Sequence, residues 1–335
     1  MKRITNKIRT DGVGALLRSA KVNFFYKLES EILFKIPRFV KLCFSQPRLL
    51  YIELSSLCNL NCNTCFREEK GSRDQGIMDL NLFRKVIVEA SRMGGVSIHL
   101  GFAGEPLTYP YLKEVLKIVA LYKDSFYKVS LTSNGTLLSP KMSKMILDSG
   151  ALDWITFSVD GVGKVFEDLR SGADYALVSM NIRTLVGERN VVGKKKPIIS
   201  INCVLSSQTN EQIGDLKFVW SGVVDQVNIS GCIDQNFKFL NMERYLSWNP
   251  KAAQKHLNPT CIFPFQNLIV LWDGSITYCC HNLNGEYRFG SALSQSLREI
   301  WNHAEYKRAR EYLAVNCLPS DSVCFKCRKS FSGMK

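Results

Sequence analysis

From residue 49 onward the chain alternates two hydrophobic periods. Short runs of alternating polarity predict strands at about 50–54, 96–100, 127–132, 153–159, 198–205 and 225–229. Between them apolar positions recur at spacings of three and four, which predicts helices over 79–93, 110–122, 140–149, 174–188 and 210–220. Strands alternating with helices imply parallel βαβ units, and six of them predict an α/β fold with a partial (β/α)6 barrel over 49–230. Lys194-Lys195-Lys196-Pro197 predicts an exposed turn before the fifth strand.

The strands carry a second pattern. A parallel sheet covered by helices on both faces should be apolar on both. Here one parity collects Glu53, Ser97, His99, Ser130, Thr132, Thr156, Ser158, Ser200, Asn202, Asn228 and Ser230. The other collects Ile52, Leu54, Ile98, Leu100, Val129, Leu131, Ile155, Phe157, Ile199, Ile201, Val227 and Ile229. The apolar set should face the helices and the polar set the lumen. A polar lumen predicts a substrate cavity, with Glu53 and His99 as catalytic candidates. Continuing that parity brings Cys232 to the cavity mouth, where its thiol is a third catalytic candidate. Small buried apolar packing is the other reading of such a cysteine. Cys203 falls on the helix side and is expected to be structural.

The chemistry begins after the first strand. Cys58, Cys62 and Cys65 are spaced C-x3-C-x2-C on one short loop. Three thiolates so placed can hold three irons of a [4Fe–4S] cube and leave the fourth iron open to a ligand. Zinc is the competing reading, but it favours paired C-x2-C motifs or histidines, and no histidine lies near. The loop sits at a strand's C-terminal end, where parallel α/β barrels place their reactive groups.

The loop resembles the signature of the radical S-adenosylmethionine (SAM) superfamily, and further stretches extend the resemblance in family order. Gly101-Phe102-Ala103-Gly104-Glu105-Pro106 is similar to the family's GGEP motif, which holds the SAM amino group. Ser133-Asn134 and Ser158-Val159-Asp160 end two later strands and are similar to the turns facing the ribose and the carboxylate. Arg170 stands where relatives place an arginine against the SAM carboxylate, and Leu205 would flank the adenine. One position departs: the residue before the third cysteine is often aromatic in the family and is Thr64 here. The resemblance implies a reduced cluster that cleaves SAM to a 5′-deoxyadenosyl radical, a flavodoxin- or ferredoxin-type reductant, and hydrogen abstraction from a substrate.

After residue 230 the alternation stops. Residues 231–259 are expected to connect to a second, smaller unit over 260–335. That unit holds Cys261, Asp273-Gly274, Cys279 and a closing Cys324-x2-Cys327. Asp273-Gly274 predicts a hairpin turn joining two strand segments. The stretch resembles the SPASM/twitch extension of radical SAM enzymes, which implies one auxiliary [4Fe–4S] cluster on Cys261, Cys279, Cys324 and Cys327. Four thiolates at this spacing also suit structural zinc. Cys280 and Cys317 are left over.

Residues 1–48 hold eleven Lys and Arg against three Asp and Glu, out of a net charge of +14 for all 335 residues. Aromatic and aliphatic residues are interleaved, so a basic helical extension is expected. Its basic face is either simply solvated, on helices packed against the barrel, or touches a membrane surface, an acidic partner or a carrier. No nucleic-acid-binding module is legible. No apolar run reaches the roughly 18–20 residues that span a bilayer. Twelve cysteines without a legible secretory signal suggest a reducing, cytoplasmic setting in which cysteine binds metal. The substrate is expected to be a small molecule of carbohydrate type, dehydrogenated or epimerised, with a ribosomal peptide or protein side chain as the alternative. A non-catalytic iron–sulfur or zinc protein is the reading of another class.

Overall fold

The computed structural model describes residues 45–63, 65, 74–233, 239–240, 261, 263–279, 287–314, 317–320 and 324–325. Most of the basic extension, Thr64, most of the connector, Cys280 and Cys327 lie outside them.

The predicted strands form, within a residue or a few, as β1 (Leu49–Ile52), β2 (Ser97–Leu100), β3 (Val129–Ser133), β4 (Trp154–Ser158), β5 (Ile198–Leu205) and β6 (Gln226–Ile233). Each pairs in parallel with the next. Three shorter strands complete the sheet: β7 (Phe239–Leu240), β8 (Asn267–Val270) and β9 (Ile276–Thr277). The order is β7-β6-β5-β4-β3-β2-β1-β8-β9. The first six strands therefore appear in sequence order, as successive βα units wound in one direction do.

The register aligns the two parities into two faces. Leu50, Ile98, Val129 and, one row on, Ile52, Leu100, Leu131, Ile155, Ile199 run across the sheet as neighbours. All are buried in one continuous core with the inner faces of the helices. Cys203 belongs to that core, as its parity predicts. The opposite face carries a ladder of polar side chains, because in a parallel sheet a matched register keeps like parity on like face. His99 Nδ1 lies 2.9 Å from Ser130 Oγ, Thr156 Oγ1 lies 3.0 Å from Ser200 Oγ, and Ser230 Oγ donates to Asn202 Oδ1 at 2.6 Å.

The helices follow their caps. α1 (Leu80–Met93) starts at Asp79, whose carboxylate accepts from the amides of Asn81 and Leu82, and it buries Leu82, Phe83, Val86, Ile87 and Ala90. α2 spans Leu112–Leu121. α3 (Pro140–Ser149) has Ser139 as its cap and proline at its first position, and it ends on Gly150 at φ 62°. α4 (Lys164–Leu169) and α5 (Tyr175–Val191) follow, the latter capped by Asp174. The helix expected over 210–220 is two: α6 (Ser207–Glu211) and α7 (Ile213–Trp220). Ser206 and Thr209 cap each other and start the helix early, and Gln212 interrupts it, its side-chain oxygen accepting from the Val162 amide at 2.8 Å.

The C-terminal segment does more than follow the barrel. β8 adds to the free edge of β1 in parallel, with Leu50 opposite Leu268 and Ile52 opposite Val270. The chain then turns at Asp273-Gly274 into β9, and Gly274 sits at φ 82°, a left-handed conformation that suits glycine. Beyond lie α9 (Leu297–Asn302) and α10 (Ala304–Ala314), after the short α8 (Phe263–Gln266). Lys85 of α1 donates to the carbonyls of Ala292 and Gln295 at 2.6 and 2.8 Å, and Glu89 accepts from the Leu297 amide at 2.8 Å. One helix of the barrel thus grips the start of α9.

Candidate active site and cysteine centres

The Cys58–Cys65 loop leaves β1 at the C-terminal end of the sheet and is held there by backbone bonds. The Glu105 amide donates to the Leu57 carbonyl at 2.8 Å, and Asn61 and Asn63 donate to the carbonyls of Ser171 and Leu169 at 3.0 and 2.9 Å. Gly104 lies flat against this loop: a Cβ there would meet the Ser55 carbonyl oxygen at 2.2 Å and that of Leu57 at 2.5 Å. Only glycine allows two backbones to approach this closely. Gly101, at φ 133°, opens the same turn, and Pro106 closes it.

Glu105 is the hub behind the turn. Its buried carboxylate accepts from Ser133 Oγ at 2.8 Å, the Asn134 amide at 2.7 Å and the Leu107 amide at 3.0 Å. Burial pushes its pKa up, and the three hydrogen bonds pull against that rise. Asn134 continues the chain of contacts: its side-chain NH2 donates to Asn59 Oδ1 at 3.0 Å and points at Cys58 Sγ from 3.9 Å. Asn59 in turn donates to Thr136 Oγ1 at 2.7 Å. The ends of β1, β2 and β3 are thereby locked into one polar frame.

Arg170 enters from the far side. It forms an ion pair with Asp160 at 2.7 Å, and Asp160 Oδ1 also accepts from the Val204 amide at 2.7 Å. Arg170 Nη1 stands 4.0 Å from Cys62 Sγ. Its Nε is buried and has no hydrogen-bond partner. Burial raises the Cys62 pKa and Arg170 opposes it, while Cys65 and Cys58 push in the same direction as burial. The three thiols are thus within electrostatic reach of one another. Among the described residues, no three Cys, His, Asp or Glu side chains close into a finished metal-ligand set.

Of the other expected positions, Ser158 lies opposite Asn202 on the polar face, and Leu205 is fully buried at the end of β5. His99 packs edge-on against Tyr51 with centroids 5.1 Å apart. Burial, with Lys128 nearby, lowers its pKa to about 4, so it is a neutral imidazole at pH 7. Glu53 is completely buried, and its carboxylate accepts from the Trp272 amide at 3.1 Å. It thus ties β1 to the turn after β8. Cys232 continues β6 opposite Leu240, and its side chain lies outside the described residues.

The second group of cysteines sits in a different medium. Cys279 follows β9 and is half-buried, as is Cys324, while Cys261 is exposed. Tyr278, Phe289, Tyr306 and Trp301 pack ring against ring beside them, at centroid distances of 5.0–5.7 Å. The Tyr278 hydroxyl lies 3.3 Å from Cys324 Sγ. Burial pushes the Cys324 thiol up to about 11; the hydrogen bond from Tyr278 opposes this and Cys279 adds to it. Cys317 is exposed and has no place in this group among the described contacts.

Several of these contacts were not legible along the chain. The Asn59–Asn134 and Glu53–Trp272 bonds join residues that only the packing of the strands brings together, and the Asp160–Arg170 pair depends on how the chain turns after β4. The sequence motifs point to Asp160 and to Arg170 separately; their ion pair is visible only in the structure.

A thiolate-rich loop at the C-terminal end of a parallel barrel, a glycine-lined turn pressed against it and an arginine with an orphaned N–H define a class of enzyme. The Radical SAM superfamily model matches residues 52–213, and the SPASM model, an iron–sulfur cluster-binding domain, matches residues 261–328. The chain belongs to the radical SAM superfamily and carries a C-terminal SPASM domain. Its cofactors are SAM with a [4Fe–4S] cluster, and auxiliary iron–sulfur binding in the SPASM domain.

Among its relatives is the tungsten-containing aldehyde ferredoxin oxidoreductase cofactor-modifying protein of Pyrococcus furiosus, 26% identical over 83% of this chain and 87% of that one. The AdoMet-dependent heme synthase of Methanosarcina barkeri is 31% identical over 50% of this chain and 45% of that one. The solved structure of Streptococcus suis SuiB bound to precursor peptide SuiA shares the fold, with a TM-score of 0.65, 17% identity, and 87% of this chain and 72% of that one covered. Among the described residues no helix is long and apolar enough to cross a membrane.

Proposed function

We propose that this radical SAM enzyme acts on a polar small molecule held in the barrel lumen, oxidising it or inverting a carbon centre. The observation that carries the reading is the polar face of the sheet, where three cross-strand pairs, His99–Ser130, Thr156–Ser200 and Asn202–Ser230, are hydrogen-bonded on the side opposite the apolar parity. Ser200 is fully buried beneath the Trp154 indole, which donates to it at 2.8 Å, but the partly exposed Thr156, Asn202 and Ser230 offer donors and acceptors to a ligand rich in both, as a carbohydrate-type molecule or a modified cofactor is. The similarity to a cofactor-modifying protein along most of both chains leans the same way.

The residues at hand suit the cofactors. Cys58, Cys62 and Cys65 would hold the SAM-binding cluster, and the orphaned Arg170 Nε–H is placed for a carboxylate. Gly101, Gly104, Pro106, Ser133, Asn134, Ser158, Asp160 and Leu205 surround the same end of the sheet, with Glu105 holding the turn in shape. Bound there, SAM and its cluster supply a carbon-centred radical able to take hydrogen from an unactivated C–H bond. The chain's part is to anchor, orient and exclude water. Cys261, Cys279, Cys324 and Cys327 are proposed to hold one auxiliary [4Fe–4S] cluster. A flavodoxin- or ferredoxin-type protein is the proposed reductant.

The test is to reconstitute the protein anaerobically, reduce it and supply candidate substrates deuterated at each carbon. Transfer of deuterium into 5′-deoxyadenosine from a polyol or cofactor fragment supports the reading. Transfer only from a peptide overturns the small-molecule assignment in favour of a peptide-modifying enzyme.

A further inference from the structure

Among the described contacts of the aromatic pocket around Cys279 and Cys324, a tyrosine hydroxyl is aimed at sulfur. Tyr278 is only 4% exposed, and its ring is fixed between Phe289 and Tyr306, at 5.0 and 5.7 Å. Its hydroxyl stands 3.3 Å from Cys324 Sγ, within hydrogen-bonding range for sulfur. Tyr306 is the natural contrast: it lies in the same cluster, fully buried, but its hydroxyl donates to the Asn267 carbonyl at 2.5 Å.

We propose that the Tyr278 hydroxyl donates to Cys324 Sγ when that sulfur ligates the auxiliary cluster, and so raises that cluster's reduction potential. The inference rests on the assignment of Cys324 as a ligand. A metal-bound thiolate has no proton of its own, so the tyrosine must be the donor. Reduction adds negative charge that spreads onto the sulfurs, and an O–H donor stabilises the reduced state more than the oxidised one. Among the described residues the wall beside it is aromatic, with the buried Arg310 guanidinium stacked on Trp301 and Tyr306 at 3.9 and 4.4 Å, so this bond acts where little water screens it. Tyr278 is therefore a positioning and tuning residue for the auxiliary cluster. It does not touch the substrate. Its effect is on how readily the second cluster takes an electron.

The experiment uses full-length protein in which Cys58, Cys62 and Cys65 are all alanine, so that the auxiliary cluster alone is observed. Its midpoint potential is measured by EPR-monitored redox titration, without and with Tyr278→Phe or Tyr306→Phe. The proposal expects Tyr278→Phe to disfavour reduction by up to about tenfold, about 59 mV for one electron, and Tyr306→Phe to leave the potential in place. It also expects an exchangeable deuteron coupled to the reduced cluster after transfer to D2O, a readout available even if the phenylalanine variant does not fold. Equal shifts in the two variants, or no coupled deuteron, overturn the tuning role. Metal content separates this failure from that of the ligand assignment: zinc with no iron in the background variant overturns the auxiliary cluster itself.

Discussion

The two cysteine centres are built from the same ligand atom in opposite surroundings. The first lies among polar groups. Arg170 stands 4.0 Å from Cys62 Sγ, Asn134 faces Cys58 Sγ, and a buried N–H of Arg170 has nothing to bond. The second lies among rings, with the Tyr278 hydroxyl as the polar contact described to Cys324. A polar, charged and under-satisfied frame is suited to take up a charged ligand, whereas a wall of packed rings keeps water and exchangeable ligands away from the sulfurs. The contrast teaches that identical thiol chemistry is assigned its task by what stands next to it.

The largest expected effect breaks the first centre outright. Changing Cys58, Cys62 and Cys65 to alanine should abolish production of 5′-deoxyadenosine from SAM and remove about four of about eight irons. Changing Cys324 and Cys327 instead should remove iron while leaving SAM cleavage measurable. If either set of changes abolishes both clusters' iron, the two centres are not independent.

Arg170→Ala comes next. It removes the unpaired donor and also strands the buried Asp160 carboxylate, so SAM affinity should fall by about 100-fold. Arg170→Lys keeps the charge but loses the planar fork, and about a tenfold loss is expected. Isothermal titration with SAM reads both. Equal affinity in wild type and Arg170→Lys would remove the guanidinium from the account.

Glu105 tests the frame rather than the ligand. Its carboxylate satisfies three buried donors, so Glu105→Ala should destabilise the fold by about 4 kcal/mol in chemical denaturation. Glu105→Gln, which keeps an acceptor oxygen, should cost less. No loss in the alanine variant would mean the turn is held elsewhere.

How much of this was legible in the sequence follows from the range of each interaction. The strand parities are local, period-two facts, and the register carried them intact into a polar and an apolar face. The glycine turn at 101–106 was legible because its chemistry sits within six residues. β8 joining β1 was not: Asn267–Val270 is buried on both faces, and a continuous apolar run shows no period from which an edge partner can be read. Glu53 was expected in the lumen, and its bond to Trp272 depends on that same unforeseen pairing, 219 residues along the chain. Gln212 split a helix for a tertiary reason, its bond to Val162.

A pH dependence is also expected. The folded state holds His99 neutral down to about 4, whereas in the unfolded chain it takes a proton near 6.5. Stability is therefore lost as pH falls through that window, by at most about 3 kcal/mol and less where lumen water screens the ring. The drop in thermal midpoint between pH 7 and 5 should be shallower in His99→Gln than in wild type. Parallel curves would show that the imidazole is not the group responsible.

The contrast between the two centres is tested most directly by adding SAM to the fully reconstituted, reduced protein and following both clusters by EPR. SAM should alter the signal that depends on Cys58, Cys62 and Cys65, and leave unchanged the signal that survives their replacement by alanine. A SAM-induced change in the surviving signal, or none in the first, would contradict it.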